Sequence, residues 1–167
     1  MKLSQTGQHK KESGFTLVEL ISVIVIIGLL AGAAAPRFLD LNEDAHTASA
    51  SSVYGAFSSA TKIFNMGWRT NGSPAAPSVV DGVAMNASGW PGPPGATNHS
   101  DCVNIWQGIT DTSLPIVPWT GSWTVGDRSW VAFGSGGNCI YIFLEDVSPL
   151  RYFFYTPATG NIIPVNI

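Results

Sequence analysis

Phe15-Thr16-Leu17-Val18-Glu19-Leu20-Ile21-Ser22-Val23-Ile24-Val25-Ile26-Ile27-Gly28-Leu29-Leu30-Ala31-Gly32-Ala33-Ala34-Ala35 is the stretch on which the fold turns. Its roughly 21 residues are almost all apolar, and at about 1.5 Å per residue they match a hydrocarbon core of about 30 Å. The segment before it is short and polar and carries Lys2, Lys10 and Lys11, whereas only Arg37 follows closely. The excess of positive charge on the leading side places the N-terminus in the cytoplasm and the rest of the chain outside. Ala33-Ala34-Ala35 also fits the end of a secretory signal peptide, but the run is long for one and the next residue is Pro36. A plain signal anchor explains the length and leaves Glu19 without a purpose. A carboxylate inside an apolar span costs free energy and calls for a partner or for hydration at the interface.

The chain as a whole is poor in charge. Charged residues make up 11% of the 167 residues and hydrophobic ones 45%, against roughly 25% charged residues in ordinary soluble proteins. Such a surface suits packing against neighbours. The net charge of −3 and the lack of a basic stripe argue against a nucleic-acid partner. The length suits one compact domain plus an additional element. Cys102 and Cys139 read as one disulfide in an exported chain, the other reading being two reduced, buried thiols.

The helical pattern resumes after Pro36. Phe38, Leu41, Ala45, Ala48, Ser52, Ala56, Ala60, Ile63 and Gly67 step by three and four along one face, widened by Val53, Phe57 and Phe64. This predicts a helix that stops near Gly67, before Asn71-Gly72-Ser73-Pro74. Residues 67–121 are rich in Gly, Pro, Ser and Asn and read as loop, with a short helix over Cys102–Gly108. Strands are expected at Ser122–Val125, Ser129–Phe133, Cys139–Glu145, Leu150–Thr156 and Asn161–Val165. Short turns between them imply an antiparallel meander. The predicted fold is α+β: a long N-terminal helix, its first half membrane-spanning, packed on an antiparallel sheet head.

The spacing of a basic leader, Gly14, Phe15 and Glu19, followed by the apolar run, resembles the processing motif of type IV prepilins and pseudopilins. The motif covers about residues 10–45, and the head resembles the family only in layout. Ala34-Ala35-Pro36-Arg37-Phe38-Leu39 with Asp44-Ala45 is most similar to pilins of the mannose-sensitive haemagglutinin type. The resemblance implies a leader over 1–14, a helix over 15–66 that spans the membrane at 15–35, and a head over 67–167. It also implies cleavage between Gly14 and Phe15 by a prepilin peptidase, N-methylation of Phe15, and attraction of Glu19 to the N-terminal amine of a neighbouring copy. Gly28, Gly32 and Pro36 mark a stretch that kinks or loses helicity on assembly, because proline removes a backbone donor and disfavours helix at the preceding residue. The implied partners are identical subunits in a filament, the peptidase and an inner-membrane assembly platform driven by an ATPase. The implied location is the inner membrane, then an extracellular pilus used for adhesion or attachment. A minor pilin that primes or tips the filament, a secretion pseudopilin and a membrane-anchored periplasmic binding protein are the other readings.

No catalytic constellation, metal cluster or cofactor motif is evident in the sequence. His9, His46 and His99 are isolated, and Gly134-Ser135-Gly136-Gly137 has the wrong spacing for a nucleophile elbow. Among the six tryptophans, Trp90 lies in the Gly-Pro loop Ser88–Gly95 and is the candidate for a surface contact.

Overall fold

The computed structural model describes residues 15–93, 97–110, 113–122 and 130–167. They fall into two compact units, one ending at Asn42 and one running from Glu43 to Ile167. The helix α1, Leu17–Thr70, contributes to both.

In the second unit α1 supplies the spine of the head. Ala50, Phe57, Thr61 and Asn65 are buried, and Val53, Tyr54, Ala60, Phe64 and Trp68 pack beside them. The predicted stripe is therefore rotated: Ala45, Ala48, Ser52, Ala56 and Ile63 are exposed. Both series obey helical spacing. The aromatic side chains choose between them, because burying a large ring removes far more apolar area from water than burying alanine or serine. The helix also runs past Gly67. A Cβ on Gly67 would lie 3.2 Å from Val80 Cγ1, so this glycine makes room for a neighbouring strand. The stop comes at Gly72, with φ +82 and its N–H donated to the carbonyl of Arg69.

The segment expected to be loop holds a hairpin, β1 (Ser78–Val80) and β2 (Val83–Met85). Asp81 and Gly82 form its two-residue turn with φ of 45 and 85, the left-handed pair that such a connection requires. Helix α2, His99–Ile109, is longer than predicted. Asn98 caps it by accepting from the Asp101 N–H, while the Asp101 carboxylate accepts from the Asn98 N–H. As expected, Cys102 and Trp106 share its buried face, with Ile105 and Ile109.

The main sheet has the order β3 (Ile116–Pro118), β4 (Trp130–Ser135), β5 (Asn138–Val147), β6 (Leu150–Thr156) and β7 (Asn161–Val165). β4 to β7 form the predicted antiparallel meander. β3 was not anticipated, and it pairs with β4 in parallel. The strand expected at Ser122–Val125 lies, apart from Ser122, outside the described residues. Alternation along β5 and β6 turns Cys139, Tyr141, Phe143, Arg151, Phe153 and Tyr155 toward the helices.

Phe57 sits at the centre of this core, 5.0–5.8 Å from the rings of Tyr141, Phe153, Tyr155 and Trp106. The Tyr141 hydroxyl donates to the Cys102 carbonyl and the Tyr155 hydroxyl to the Pro91 carbonyl. Burial pushes both phenols well up, so both remain neutral donors. Arg151 is fully buried yet well partnered. Its Nε donates to Thr47 Oγ1 at 3.0 Å, its Nη1 to the Pro149 carbonyl, and its Nη2 lies 3.7 Å from the Glu43 carboxylate.

Cys102 and Cys139 are joined in a disulfide with a sequence separation of 37, tying α2 to β5, and both are fully buried. Closing a loop of that size restricts the unfolded chain by about 3–4 kcal/mol. Replacing both cysteines by alanine is expected to lower unfolding free energy by that amount in urea titration. A loss below about 1 kcal/mol would mean that the packing alone holds α2 on the sheet.

Candidate functional site

Among the described residues, the first unit is a helix without an internal partner. Leu17–Ala35 is a 19-residue window with mean hydropathy 2.6, none of it buried. Phe15 is 93% exposed, and Leu20, Ile24, Ile27 and Leu30 are exposed like their neighbours. An apolar surface of this extent on every side of a helix needs lipid or other copies around it. Gly28 and Gly32 have nothing within 4 Å of a would-be Cβ, so their side of the helix is open to close approach. α1 includes Pro36, and its helical assignment continues on both sides.

Glu19 is held at the start of this helix. Its Oε2 accepts from the Thr16 N–H at 2.8 Å and from Thr16 Oγ1 at 2.9 Å, and the Glu19 N–H donates back to Thr16 Oγ1 at 3.3 Å. This is a reciprocal cap on the Thr-x-x-Glu pattern. Thr16 was passed over in the sequence, although that spacing carries the signal. The cap satisfies hydrogen bonds and fixes the side chain, and among the described residues no cation pairs with its charge. Gly14 lies outside the described residues. Glu19, with Thr16 and Ser22, is therefore a polar feature near the start of an otherwise apolar rod.

The head presents a different picture. Trp90, expected as an exposed contact, is half-buried. Its indole lies on Gly160, where a Cβ would fall inside the ring, and Gly160 has φ +70. The loop that carries it is fixed by Asn86. The Asn86 side chain accepts from the N–H groups of Ser88 and Trp90 and donates to the Pro157 carbonyl.

The prokaryotic N-terminal methylation motif matches residues 9–35. The chain is also 37% identical over 83 residues to the type IV narrow pilus major component PilA5 of Thermus thermophilus, a match covering 48% of this chain and 70% of that protein. The chain belongs to the type IV pilins. No solved structure matches it. As a pilin it is a structural protein rather than an enzyme. It is anchored in the membrane by its N-terminal apolar helix and ends in an extracellular pilus. Filament assembly and prepilin-peptidase processing follow from membership of the family. The pilin head adds what the motif does not reach, a disulfide-tied sheet on the C-terminal part of α1.

Proposed function

We propose that this pilin is the bulk subunit of a type IV filament used for surface attachment. In this reading residues 1–14 are a leader, cleavage falls between Gly14 and Phe15, and Phe15 is N-methylated. The observation that carries it is the wholly exposed apolar helix with one carboxylate, Glu19, four residues beyond Phe15. Two opposite charges attract far more strongly in a low-dielectric setting than in water. A neighbour's N-terminal amine set against Glu19 neutralises a charge that lipid tolerates poorly. A neighbour out of register leaves that charge unpaired, so the pair sets the axial offset.

Assembly then draws subunits from the membrane through an inner-membrane platform driven by an ATPase. Gly28, Gly32 and Pro36 supply the stretch of α1 that yields on packing. The Thermus relative is a major component of its pilus, which supports the bulk-subunit reading over a minor pilin. Trp90 is the head's proposed contact with a surface, through the part of the indole left outside the Gly160 contact.

The test is the N-terminal peptide mass of protein sheared from cells. A peptide beginning at Phe15 and heavier by one methyl group is expected. A chain beginning at Pro36, or retaining Met1, would overturn the reading.

A further inference from the structure

The mature head is sparing with charge, and most of its described cations are engaged. Arg151 is buried against Glu43, Thr47 and Pro149. Arg69 turns its Nε back onto the Asn65 side chain. Lys62 and Arg69 are both exposed and neither has an ion pair among the described residues, but Lys62 also lacks the hydrogen bond that holds Arg69. Lys62 stands on the outward face of α1 beside Ile63 and Met66, which are 61% and 58% exposed. A lysine beside two large exposed apolar side chains is an unusual surface feature for a free monomer. The four-carbon stem of lysine and its apolar neighbours gain from burial together, provided the ammonium meets an acceptor.

A crevice of about 240 Å³ elsewhere on the head offers that acceptor. It lies between the β1–β2 hairpin and α2. Val83, Ile105 and Pro93 give it apolar walls, while Asp101 and Asn104 line it from α2. Gly108 belongs to the same wall, and a Cβ there would lie 2.8 Å from Val83 Cγ2, so the hairpin is seated closely on the helix. Asp101 is half-buried, and its carboxylate is positioned by the cap on α2, accepting the Asn98 N–H at 3.0 Å. That bond leaves the charge in place. It fixes the carboxylate of a residue that lines a partly apolar slot of a size suited to one long side chain.

We propose that this crevice receives Lys62 of a second copy of the chain, with the ammonium against Asp101 and Asn104 and the stem along Val83, Ile105 and Pro93. The occupant is chosen by charge complementarity between an unpaired exposed cation and a positioned half-buried carboxylate. Asp81 and Asp44 compete poorly, because both are exposed and solvated ion pairs contribute little. In a filament each copy then gives Lys62 to one neighbour and its crevice to another, a head-to-tail contact. A head-to-tail contact that does not close on itself propagates as an open helical array. This inference rests on the filament reading above and adds a specific joint between heads to the joint at Glu19.

The test is zero-length carbodiimide coupling of intact sheared filaments, followed by denaturing electrophoresis and peptide mass spectrometry. A Lys62–Asp101 amide is expected in the dimer and higher bands, and absent from detergent-dispersed subunits treated alike. Asp101→Asn keeps an acceptor for the Asn98 N–H and removes the charge. It is expected to abolish the coupling and to make filaments fall apart at lower salt, with the unfolding midpoint of the head unchanged. Filaments whose subunits begin at methylated Phe15 but couple Lys62 to another acid, or not at all, would overturn the joint and leave the filament function standing. Failure to recover any filament from wild-type cells would overturn the function, and the joint with it.

Discussion

Glu19→Ala is expected to reduce the yield of sheared filaments at least about tenfold, a change that corresponds to about 1.4 kcal/mol or more at the assembly step. The head is expected to fold as before, since Glu19 lies in the first unit and makes its described hydrogen bonds to Thr16 and Ser22. Two properties leave with the side chain, the reciprocal cap with Thr16 and the charge. Glu19→Gln separates them, because an amide oxygen still accepts from the Thr16 N–H while the charge is gone. If the charge sets register against a neighbour's amine, glutamine fails as badly as alanine. If the cap is what matters, glutamine assembles and Thr16→Val fails. Filaments from Glu19→Ala at wild-type yield would end the register role altogether. Immunoblots of sheared and cell-bound fractions, with subunit levels matched, give the measurement.

Phe57→Ala is expected to cost the head about 3–5 kcal/mol, the range for removing a fully buried ring and leaving a cavity. Phe57 is fully buried and touches four aromatic rings drawn from α2, β5 and β6. Those rings are themselves fixed by the sheet, by the disulfide and by the hydroxyl bonds of Tyr141 and Tyr155, so the site collapses poorly. A loss of this size is a large fraction of the roughly 5–15 kcal/mol by which a domain is stable. Urea unfolding of the detergent-dispersed subunit, followed by tryptophan fluorescence, reads it directly. A loss below about 1 kcal/mol would mean that α1 is held on the sheet by its rim, through Arg151 and Trp68, rather than by its centre. Combined with the cysteine replacement, the Phe57 effect should be non-additive, because Trp106 and Tyr141 adjoin both features.

Some elements were readable from local pattern and others were not. The strands β4 to β7 run five residues or more, are rich in β-branched and aromatic residues and are separated by turn residues, so they show in the chain itself. β1, β2 and β3 are three residues each, too short for any period. The Asp81-Gly82 pair between Val79-Val80 and Val83 was the available hairpin signal, hidden by the Gly- and Pro-rich surroundings. β3 pairs in parallel with β4, and a parallel neighbour reached by a crossover leaves no local mark. The buried Arg151 has the same character: nothing in Leu150-Arg151-Tyr152 announces that Thr47 and Glu43, about a hundred residues earlier, will meet its guanidinium.

The sequence by itself determined the membrane helix, the motif around Phe15 and Glu19, the α+β class and the antiparallel core of the sheet. All of these depend on residues close together in the chain, whose spacing is visible without folding. Only the tertiary structure decided which face of α1 is buried, that Trp90 rests half-buried on Gly160, and that Asp101 is fixed at a crevice while Lys62 has no ion pair among the described residues. Each of these depends on which distant surfaces compete for burial. The large rings outweigh the small residues of α1 in that competition because apolar area removed from water scales with side-chain size.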